Sequence, residues 1–188
     1  SHKTCKQAVM EITSIYFGLL SLVSIFVFYL LNVKYRIIFL VFLSCCFIAS
    51  YNYYLLIYLL AYSLINYYLG IKIPVSRFKN TLYKAGIVIN LSQLILLKYA
   101  SFAIDPIFQL FNSNFHISNI SEIIFPVGIS YFTLQGIGYL INVKMGWEKP
   151  EEKFLNYLLY IIFYPKFLSG PIERSNHFLP QLRVIKLF

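Results

Sequence analysis

Charged residues divide the chain into long hydrophobic runs. The first uncharged run covers 22 positions, from Ile12 to Val33, and a helix needs about 20 apolar residues to cross a bilayer core of about 30 Å. The second covers 35 positions, Ile37–Ile71, which as one helix would be about 52 Å long. That length predicts two crossings, about 37–50 and 53–71, joined by a turn in the tyrosine-rich stretch 50–54, because tyrosine favours the membrane interface.

Three further apolar runs follow. Pro74 and a basic loop with Arg77, Lys79 and Lys84 are predicted to end the third segment, and a fourth segment follows from about residue 85 to 104. The polar stretch 105–121 separates it from a fifth run of 21 uncharged residues, 123–143. The sixth, Phe154–Pro165, has 12 residues, which is too short for a standard crossing. We interpret it as re-entrant, strongly angled or a short helix buried in protein.

The fold class predicted from this pattern is all-α: a polytopic helical membrane protein with about five transmembrane helices plus a short re-entrant or angled helix. Composition supports a membrane protein, since 59% of the residues are hydrophobic and only 12% are charged, against about 25% charged in soluble domains. Intrinsic disorder is excluded because disordered chains are poor in aromatic and aliphatic residues, whereas this chain is 19% aromatic.

The net charge of +9 does not indicate nucleic-acid binding, because the cations lie in short clusters between apolar runs and not on one face of a soluble fold. If segments one to five cross in order, nine basic residues fall on one side and none on the other, which by the positive-inside rule predicts cytoplasmic basic loops and an N-terminus outside. The nine are Lys34, Arg36, Lys72, Arg77, Lys79, Lys84, Lys144, Lys149 and Lys153.

The chain is expected to consist of an N-terminal extension, 1–11, and a helical membrane domain, 12–188. This domain is expected to be the N-terminal part of a longer acyltransferase domain, as the resemblance described below implies. Lys3 and Lys6 would lie outside, against the positive-inside rule. The hypothesis that the residues before Met10 are not native to the protein removes this conflict.

No common catalytic motif is found in the sequence, neither a nucleophile elbow, a zinc-protease helix nor a Walker loop. His2, His116 and His177 are interpreted as surface residues because a lone histidine without a positioned partner is a poor base. The three cysteines predict neither a disulfide framework nor a metal site. Lys98, in the fourth segment, either snorkels to the outer interface or pairs with a buried anion.

A polar stripe runs along the fifth segment. Gln135, Tyr139 and Asn142 recur at spacings of four and three, so they share one helical face. Such a face in a membrane helix turns toward protein or a water-filled cavity. Spacing leaves two interpretations open, hydrogen bonding between helices or the wall of a polar tunnel.

The chain after the sixth run combines helix breakers with charges. Pro165 and Gly170-Pro171 interrupt helical hydrogen bonding, and irregular backbone at membrane depth is tolerated only where protein or a cavity satisfies it. Lys166, Glu173 and Arg174 lie in the same stretch, a usual setting for a polar substrate or an ion pair.

These two regions resemble the membrane-bound O-acyltransferase (MBOAT) family, in its bacterial branch of alginate O-acetylation and teichoic-acid D-alanylation proteins. The motifs are Pro126-Val127-Gly128-Ile129-Ser130-Tyr131-Phe132-Thr133-Leu134-Gln135, Tyr139-Leu140-Ile141-Asn142-Val143, Phe163-Tyr164-Pro165 and Ser169-Gly170-Pro171-Ile172-Glu173-Arg174. Upstream, Lys34-Tyr35-Arg36, Ile65-Asn66-Tyr67-Tyr68-Leu69-Gly70, Asn90-Leu91 and Leu97-Lys98-Tyr99 are similar too. Asn142 stands where the family commonly has an acidic residue, so a charge-dependent role there is in doubt.

The resemblance implies a many-helix fold around a tunnel through a bacterial inner membrane. An acyl group, acetyl in the simplest case, would pass from a cytoplasmic thioester donor (acyl-CoA or an acyl-carrier protein) to a hydroxyl of an extracellular polysaccharide or cell-wall polymer. The lipid bilayer and other export or acetylation proteins are the expected partners, and no bound cofactor is expected. The substrate-binding residues implied are Gln135, Tyr139, Asn142, Lys166, Gly170, Pro171, Glu173 and Arg174.

The resemblance also implies that the catalytic histidine lies beyond Phe188, so residues 1–188 alone are expected to be an inactive fragment. His177 is not assigned that role. Two other classes stay open from the residues themselves: a small transporter or flippase-like protein that uses the same polar stripe, and a non-catalytic scaffold of an export complex. Inverted repeats would favour the transporter, and no obvious repeat is found.

Overall fold

A computed structural model describes residues 15–110, 129–165 and 175–184 of the chain. Within these ranges the regular secondary structure is entirely helical, which confirms the all-α prediction. The helices are α1 (Ile15–Leu30), α2 (Val33–Tyr51), α3 (Tyr53–Val75), α4 (Lys79–Leu110), α5 (Ile129–Met145), α6 (Phe154–Ile162) and α7 (Ser175–Val184).

The long second run is divided into two helices at Asn52, as predicted. The backbone of Asn52 is extended (φ −156°, ψ 116°), and its N–H donates to the Ile48 carbonyl at 2.9 Å. Its side-chain Oδ1 accepts the N–H of Tyr54 at 2.9 Å, the ordinary role of asparagine at a helix start. One residue therefore ends α2 and caps α3, and the two helices form an antiparallel hairpin.

The basic loop predicted after Pro74 is wrong in its extent. The connection is only 76–78, and α4 begins at Lys79, so Lys79 and Lys84 lie on a helix and Arg77 alone of the three is in the link. Ser76 Oγ accepts the N–H of Phe78 at 3.1 Å, and this hydroxyl turn lets a helix restart at once. Lysine is a good helix former, so the basic residues at 79 and 84 are accommodated in the helix.

The short sixth run forms a helix inside the protein. Residues 156–162 of α6, seven of its nine, are buried between α2, α3 and α7. The helix ends at Ile162, and the next residue, Phe163, has a ψ of 109° that is not helical. Pro165 has no N–H to donate to the carbonyl of Ile161, so helical hydrogen bonding cannot continue here. Burial in protein, one of the three interpretations given above, is observed for α6, and the break falls two residues before the proline.

Two helices of the described residues are long and apolar enough to cross a membrane, α2 over Val33–Ser50 and α3 over Tyr53–Val75. The apolar part of α1, Gly18–Leu30, is shorter than a full crossing. The predicted count of about five transmembrane helices is therefore not confirmed. Part of the fifth predicted segment, 123–128, lies outside the described residues.

Candidate functional site

A buried cluster of three polar side chains, Tyr62 and Asn66 of α3 with Asn90 of α4, joins these two helices to α5. The Tyr62 hydroxyl lies 2.6 Å from Asn90 Oδ1 and 3.0 Å from the Phe132 carbonyl, and donates its hydrogen to these acceptors. Asn90 Nδ2 donates to Asn66 Oδ1 and to the Gly86 carbonyl, both at 2.8 Å. All three side chains are at most 4% exposed, so this cluster fixes how α3, α4 and α5 pack.

The predicted polar stripe of α5 points into the protein. Gln135, Tyr139 and Asn142 are all buried, at 1%, 0% and 8% exposure. Gln135 Nε2 approaches the Tyr160 carbonyl at 3.5 Å, and the Tyr139 ring lies 4.6 Å from the Tyr157 ring. In the part of the chain that is described, the stripe makes hydrogen bonds and ring contacts between helices, which was one of its two interpretations.

The C-terminal end of α5 is a tight turn. Gly146 has φ +75°, a left-handed conformation that favours glycine at a helix end. The Asn142 carbonyl accepts the N–H groups of Trp147 at 3.0 Å and Glu148 at 3.3 Å. This turn brings the side chain of Glu148 back to α5, where it is 8% exposed.

Two carboxylates in the link between α5 and α6 are buried. Glu148 Oε2 accepts a hydrogen bond from Ser175 Oγ at 2.5 Å, and Ser175 Oγ accepts one from Asn142 Nδ2 at 2.9 Å. Glu151, 3% exposed, accepts from Asn156 Nδ2 at 2.8 Å through Oε1. Buried carboxylates need such partners, and each of these two reaches the first turn of a helix, α7 or α6, where the helix dipole favours negative charge.

Backbone groups of the same link also form hydrogen bonds with tyrosine side chains of α5 and α3. The Glu151 N–H donates to the Tyr139 hydroxyl at 3.1 Å, and the Tyr67 hydroxyl of α3 donates to the Glu152 carbonyl at 2.6 Å. Tyr139 in turn packs on Gly70, where a side chain would collide with its ring. The start of α6 is thus held against the end of α5 and the last turns of α3.

The far end of α6 reaches the middle of the first two helices. The Tyr164 hydroxyl and Ser24 Oγ of α1 share a hydrogen bond at 2.5 Å, and the Tyr164 N–H donates to Ser44 Oγ of α2 at 3.3 Å. Ser44 lies 11 residues into α2, a depth of about 16 Å along the helix. At Tyr164 the chain has therefore reached a point more than halfway along α2.

Two polar atoms on facing sides of α5 and α6, Gln135 Oε1 and the Tyr157 hydroxyl, are buried and have no hydrogen-bond partner among the described residues. Tyr157 is fully buried. A buried polar group without a partner costs about 1–3 kcal/mol, so such groups in native proteins usually meet a water, a ligand or another part of the chain. Gln135 belongs to the predicted stripe, and Tyr157 packs on its second member, Tyr139.

An apolar cavity of about 580 Å³ lies between α1, α6 and α7. It is lined mainly by aromatic and aliphatic side chains, with Ser24 and Tyr164 among the polar ones. The cavity adjoins the break after α6, because Phe163, Tyr164 and Pro165 line it, whereas Tyr157 and Gln135 are not in its lining.

The remaining predicted site residues, Lys166, Gly170, Pro171, Glu173 and Arg174, lie outside the described residues, as do His2, His116 and the side chain of Lys98. His177 is exposed on α7, as expected for a surface histidine. The sequence reasoning missed Glu148, Glu151, Ser175, Tyr157 and the Tyr62–Asn66–Asn90 cluster. One signal existed: the chain has only 7 acidic residues, and Glu148, Glu151 and Glu152 crowd into one short link.

Comparison with curated proteins relates the chain to acyltransferases. It is 24% identical over 159 residues to the probable alginate O-acetylase AlgI of Pseudomonas aeruginosa and 27% identical over 182 residues to the peptidoglycan O-acetyltransferase of Helicobacter pylori. Each match covers 82% of this chain. The chain is a relative of membrane-bound O-acyltransferases.

A shorter stretch is similar to a third branch of these acyltransferases. The chain is 35% identical over 52 residues to the teichoic acid D-alanyltransferase of Bacillus subtilis, which is 28% of this chain and 13% of that protein. The predicted resemblance is thereby confirmed. The chain spans about a third of the length of the O-acetyltransferases it matches, 31% and 34% for the two named above. No protein-family profile matches it, and no solved structure matches it.

Proposed function

We propose that this chain is part of a membrane-bound O-acyltransferase that transfers an acyl group, acetyl in the simplest case, from a cytoplasmic thioester to hydroxyls of an extracellular or cell-wall polymer. The observation that carries the proposal is the similarity over 82% of the chain to proteins named alginate O-acetylase and peptidoglycan O-acetyltransferase. A hydroxyl is a weak nucleophile that needs a positioned base, and the proposal places that base outside residues 1–188.

The apolar surface supports a membrane location. Large hydrophobic side chains are exposed on every long helix, and contiguous exposed apolar surface of this kind is rare on soluble monomers. On α1 they are Leu19, Leu22, Val23, Ile25, Phe26, Tyr29 and Leu30. We propose a bacterial inner membrane with about five crossings, α6 being re-entrant.

The helix ends support the proposed orientation. Lys144 Nζ at the end of α5 donates to Asn80 Oδ1 at the start of α4, at 2.5 Å, so the basic stretches 72–84 and 144–153 meet at one end of the bundle. The start of α2, with Lys34, is at that end too, because α2 and α3 form a hairpin. By the positive-inside rule this end is cytoplasmic.

The re-entrant interpretation rests on where α6 begins and where α7 begins. The chain leaves the proposed cytoplasmic end at Lys153, reaches the depth of Ser24 and Ser44 at Tyr164, and is again beside Asn142 at Ser175. A nine-residue helix is about 13.5 Å long, less than half of a bilayer core of about 30 Å. A chain segment that enters and leaves at the same end of the surrounding helices has the geometry of a re-entrant segment.

In the proposed enzyme, the passage for substrate runs beside the stripe of α5. Gln135 Oε1 and the Tyr157 hydroxyl, which have no partner among the described residues, would face this passage. Tyr139 would pack its ring beside them in the same wall, and Asn142 would mark the cytoplasmic mouth. Lys166, Gly170, Pro171, Glu173 and Arg174 are proposed to shape the re-entrant segment and bind the polar part of the donor. Acyl-CoA and an acyl-carrier protein share the thioester chemistry that the donor must supply.

The test of the function is O-acylation in cells. The complete gene and a version limited to residues 1–188 are expressed in a bacterium that lacks its own polymer O-acetylase, and ester-linked acetate and D-alanine on isolated polymers are measured. We expect the complete gene to restore ester, and residues 1–188 alone to give none. Transport of polymer without any new ester would instead support the transporter class.

The topology makes a prediction of its own. Tyr53 begins α3 and Arg77 lies two residues beyond its other end, and both are exposed. Each is replaced by a single cysteine in a protein whose native cysteines have been removed. We expect a membrane-impermeant maleimide to label position 53 in intact spheroplasts and position 77 only after the membrane is opened. Labelling of both from the same side would contradict α3 as a crossing.

Removing the Tyr157 hydroxyl, which has no partner among the described residues, should lower activity without lowering stability. Tyr157→Phe keeps the ring packing against Tyr139 and deletes a polar atom without a described partner, so we expect unchanged or slightly raised thermal stability. If the hydroxyl binds substrate or an ordered water in the passage, polymer O-acylation falls by about tenfold, the effect of losing about 1.4 kcal/mol. Tyr29→Phe, on the exposed face of α1, is the control, and unchanged activity in Tyr157→Phe would contradict the proposed wall.

A further inference from the structure

The apolar cavity between α1, α6 and α7 lies apart from the proposed passage, since neither Gln135 nor Tyr157 lines it. Its volume of about 580 Å³ is within the usual range of ligand sites, about 300–1,000 Å³. The described residues that line it carry no charge. An apolar cavity excludes water, and an empty one forfeits the contacts that its lining atoms would otherwise make. The lining therefore favours an apolar ligand.

The cavity follows α1 toward the proposed cytoplasmic end of the bundle. Its lining on α1 extends from Ser21 to Tyr29, a rise of about 12 Å, and one leaflet supplies about half of a bilayer core of about 30 Å. At its deeper end the Ser24 and Tyr164 hydroxyls bond to each other at 2.5 Å. Ile25 and Tyr29 are also exposed on the outer surface, at 55% and 72%. The cavity therefore matches one acyl chain that enters from the lipid.

A cation lies beside the cytoplasmic end of this cavity. Cζ of Arg36 is 5.2 Å from the ring centroid of Phe28, and Phe28 lines the cavity. Arg36 Nε donates to the Leu31 carbonyl at 3.2 Å, which orients the guanidinium and uses one of its five N–H donors. Guanidinium groups bind phosphate through paired hydrogen bonds. A phosphate is thus the headgroup that this end of the cavity favours.

We propose that the cavity binds an acyl chain of an anionic phospholipid from the cytoplasmic leaflet, with the lipid phosphate on Arg36. Such a lipid combines a hydrocarbon chain for the lining with an anion for the guanidinium, and basic pockets between membrane helices on the cytoplasmic side bind anionic headgroups. The bound chain fills the space between α1 and α7. The inference rests on the proposed membrane location and orientation, and not on acyl transfer.

Lipid retention by the purified protein is the first test. Protein expressed from the complete gene is purified in mild detergent and equilibrated with phosphatidylglycerol and phosphatidylethanolamine, and the retained lipid is measured by mass spectrometry. We expect anionic phosphatidylglycerol to be retained in preference to zwitterionic phosphatidylethanolamine. Protein that retains no phosphatidylglycerol, as expected if another segment of the chain fills the cavity, would overturn the proposal. Displacement of the lipid by palmitoyl-CoA would also overturn it, because the cavity would then be a donor site.

Filling the cavity should expel the lipid. Ile25→Trp on α1 and Gln181→Trp on α7 place an indole ring in the cavity from two walls, and both positions are partly at the surface, where a larger side chain is tolerated. We expect both variants to lose most of the retained phosphatidylglycerol. Ile38→Trp is the matched control, because Ile38 is 51% exposed on α2 and outside the lining. Unchanged retention in both cavity variants would overturn the proposal.

The headgroup is tested at Arg36 without a change in the lining. Arg36→Gln should weaken phosphatidylglycerol binding by about tenfold, as expected when a hydrogen bond to a charged group is lost, and remove the preference over phosphatidylethanolamine. Arg77→Gln removes the same charge from an exposed position at the same end and should leave the preference intact. An intact preference in Arg36→Gln would overturn the proposal, also where the tryptophan variants fail to accumulate.

Polymer O-acylation by the same variants separates the lipid site from the proposed function. Retention that responds to Ile25→Trp and Arg36→Gln, in a protein that never transfers acyl groups, would support the lipid site and remove the proposed function. Transfer by a protein whose retained lipid responds to neither substitution would overturn the lipid site alone.

Discussion

Gly136→Ala is expected to destabilise the protein by about 2–3 kcal/mol, the usual cost of overpacking a tight core. A methyl group at this position would collide with the Tyr62 hydroxyl and lie 3.2 Å from Asn90 Oδ1. Tyr62 has little room to retreat, because the same hydroxyl is bonded to Asn90 and to the Phe132 carbonyl. The alanine therefore either breaks these bonds or separates α5 from α3 and α4.

Gly138→Ala is the matched control for this prediction. It lies two residues further along α5, and a methyl group there would meet no other atom within 4 Å. Alanine favours a helix over glycine by about 1 kcal/mol, so Gly138→Ala should be neutral or stabilising. Both variants are compared by the midpoint of thermal aggregation in detergent, and equal midpoints would contradict the packing of Tyr62 against Gly136.

Local patterns were sufficient to predict the helices that run between charges. The division of the 35-residue run into two helices follows from its length, because one helix would be too long for a bilayer, and the place of the turn follows from the polar, tyrosine-rich stretch 50–54. Burial of Gln135, Tyr139 and Asn142 follows from their spacing along α5. Both predictions concern residues close together in the chain, where helical periodicity fixes which side chains share a face.

The pairings between distant residues could not be predicted in this way. Glu148 meets Ser175 across 27 positions and Asn90 meets Asn66 across 24, and no local periodicity relates them. The link 146–153 contains lysines and a proline and is typical of a solvated loop. Two of its three carboxylates, those of Glu148 and Glu151, nevertheless become buried because two helix N-termini are brought against them. The candidate site was therefore recognised on α5 and missed at the link that joins α5 to α6 and α7.

Several of the upstream residues on which the resemblance rests take part in helix packing. Asn66, Gly70 and Asn90 are far apart in sequence from Tyr139, yet all four lie along the contact of α5 with α3 and α4. Small residues and interhelical hydrogen bonds are the means by which membrane helices pack closely. This part of the sequence pattern therefore describes the packing that holds α5, and the stripe of α5 carries the proposed chemistry.

Asn90→Leu should give the second large effect, a loss of stability of about 2 kcal/mol, because it leaves buried polar groups without partners. Asn66 Oδ1 loses its donor from Asn90, and the Tyr62 hydroxyl keeps only the Phe132 carbonyl. Asn90 is fully buried, so water cannot replace these bonds. Asn80→Leu, at an exposed position of the same helix, is the control and should change stability little.

A triple variant makes this prediction sharper than a simple loss of stability. Replacing the whole cluster by apolar groups, Tyr62→Phe with Asn66→Leu and Asn90→Leu, removes the unsatisfied atoms together, and such replacement can be nearly neutral. We therefore expect the triple variant to be more stable than Asn90→Leu alone, as measured by unfolding in a denaturing detergent. Additive losses would mean that the three side chains contribute independently, and that the cluster does not act as one hydrogen-bonded unit between α3, α4 and α5.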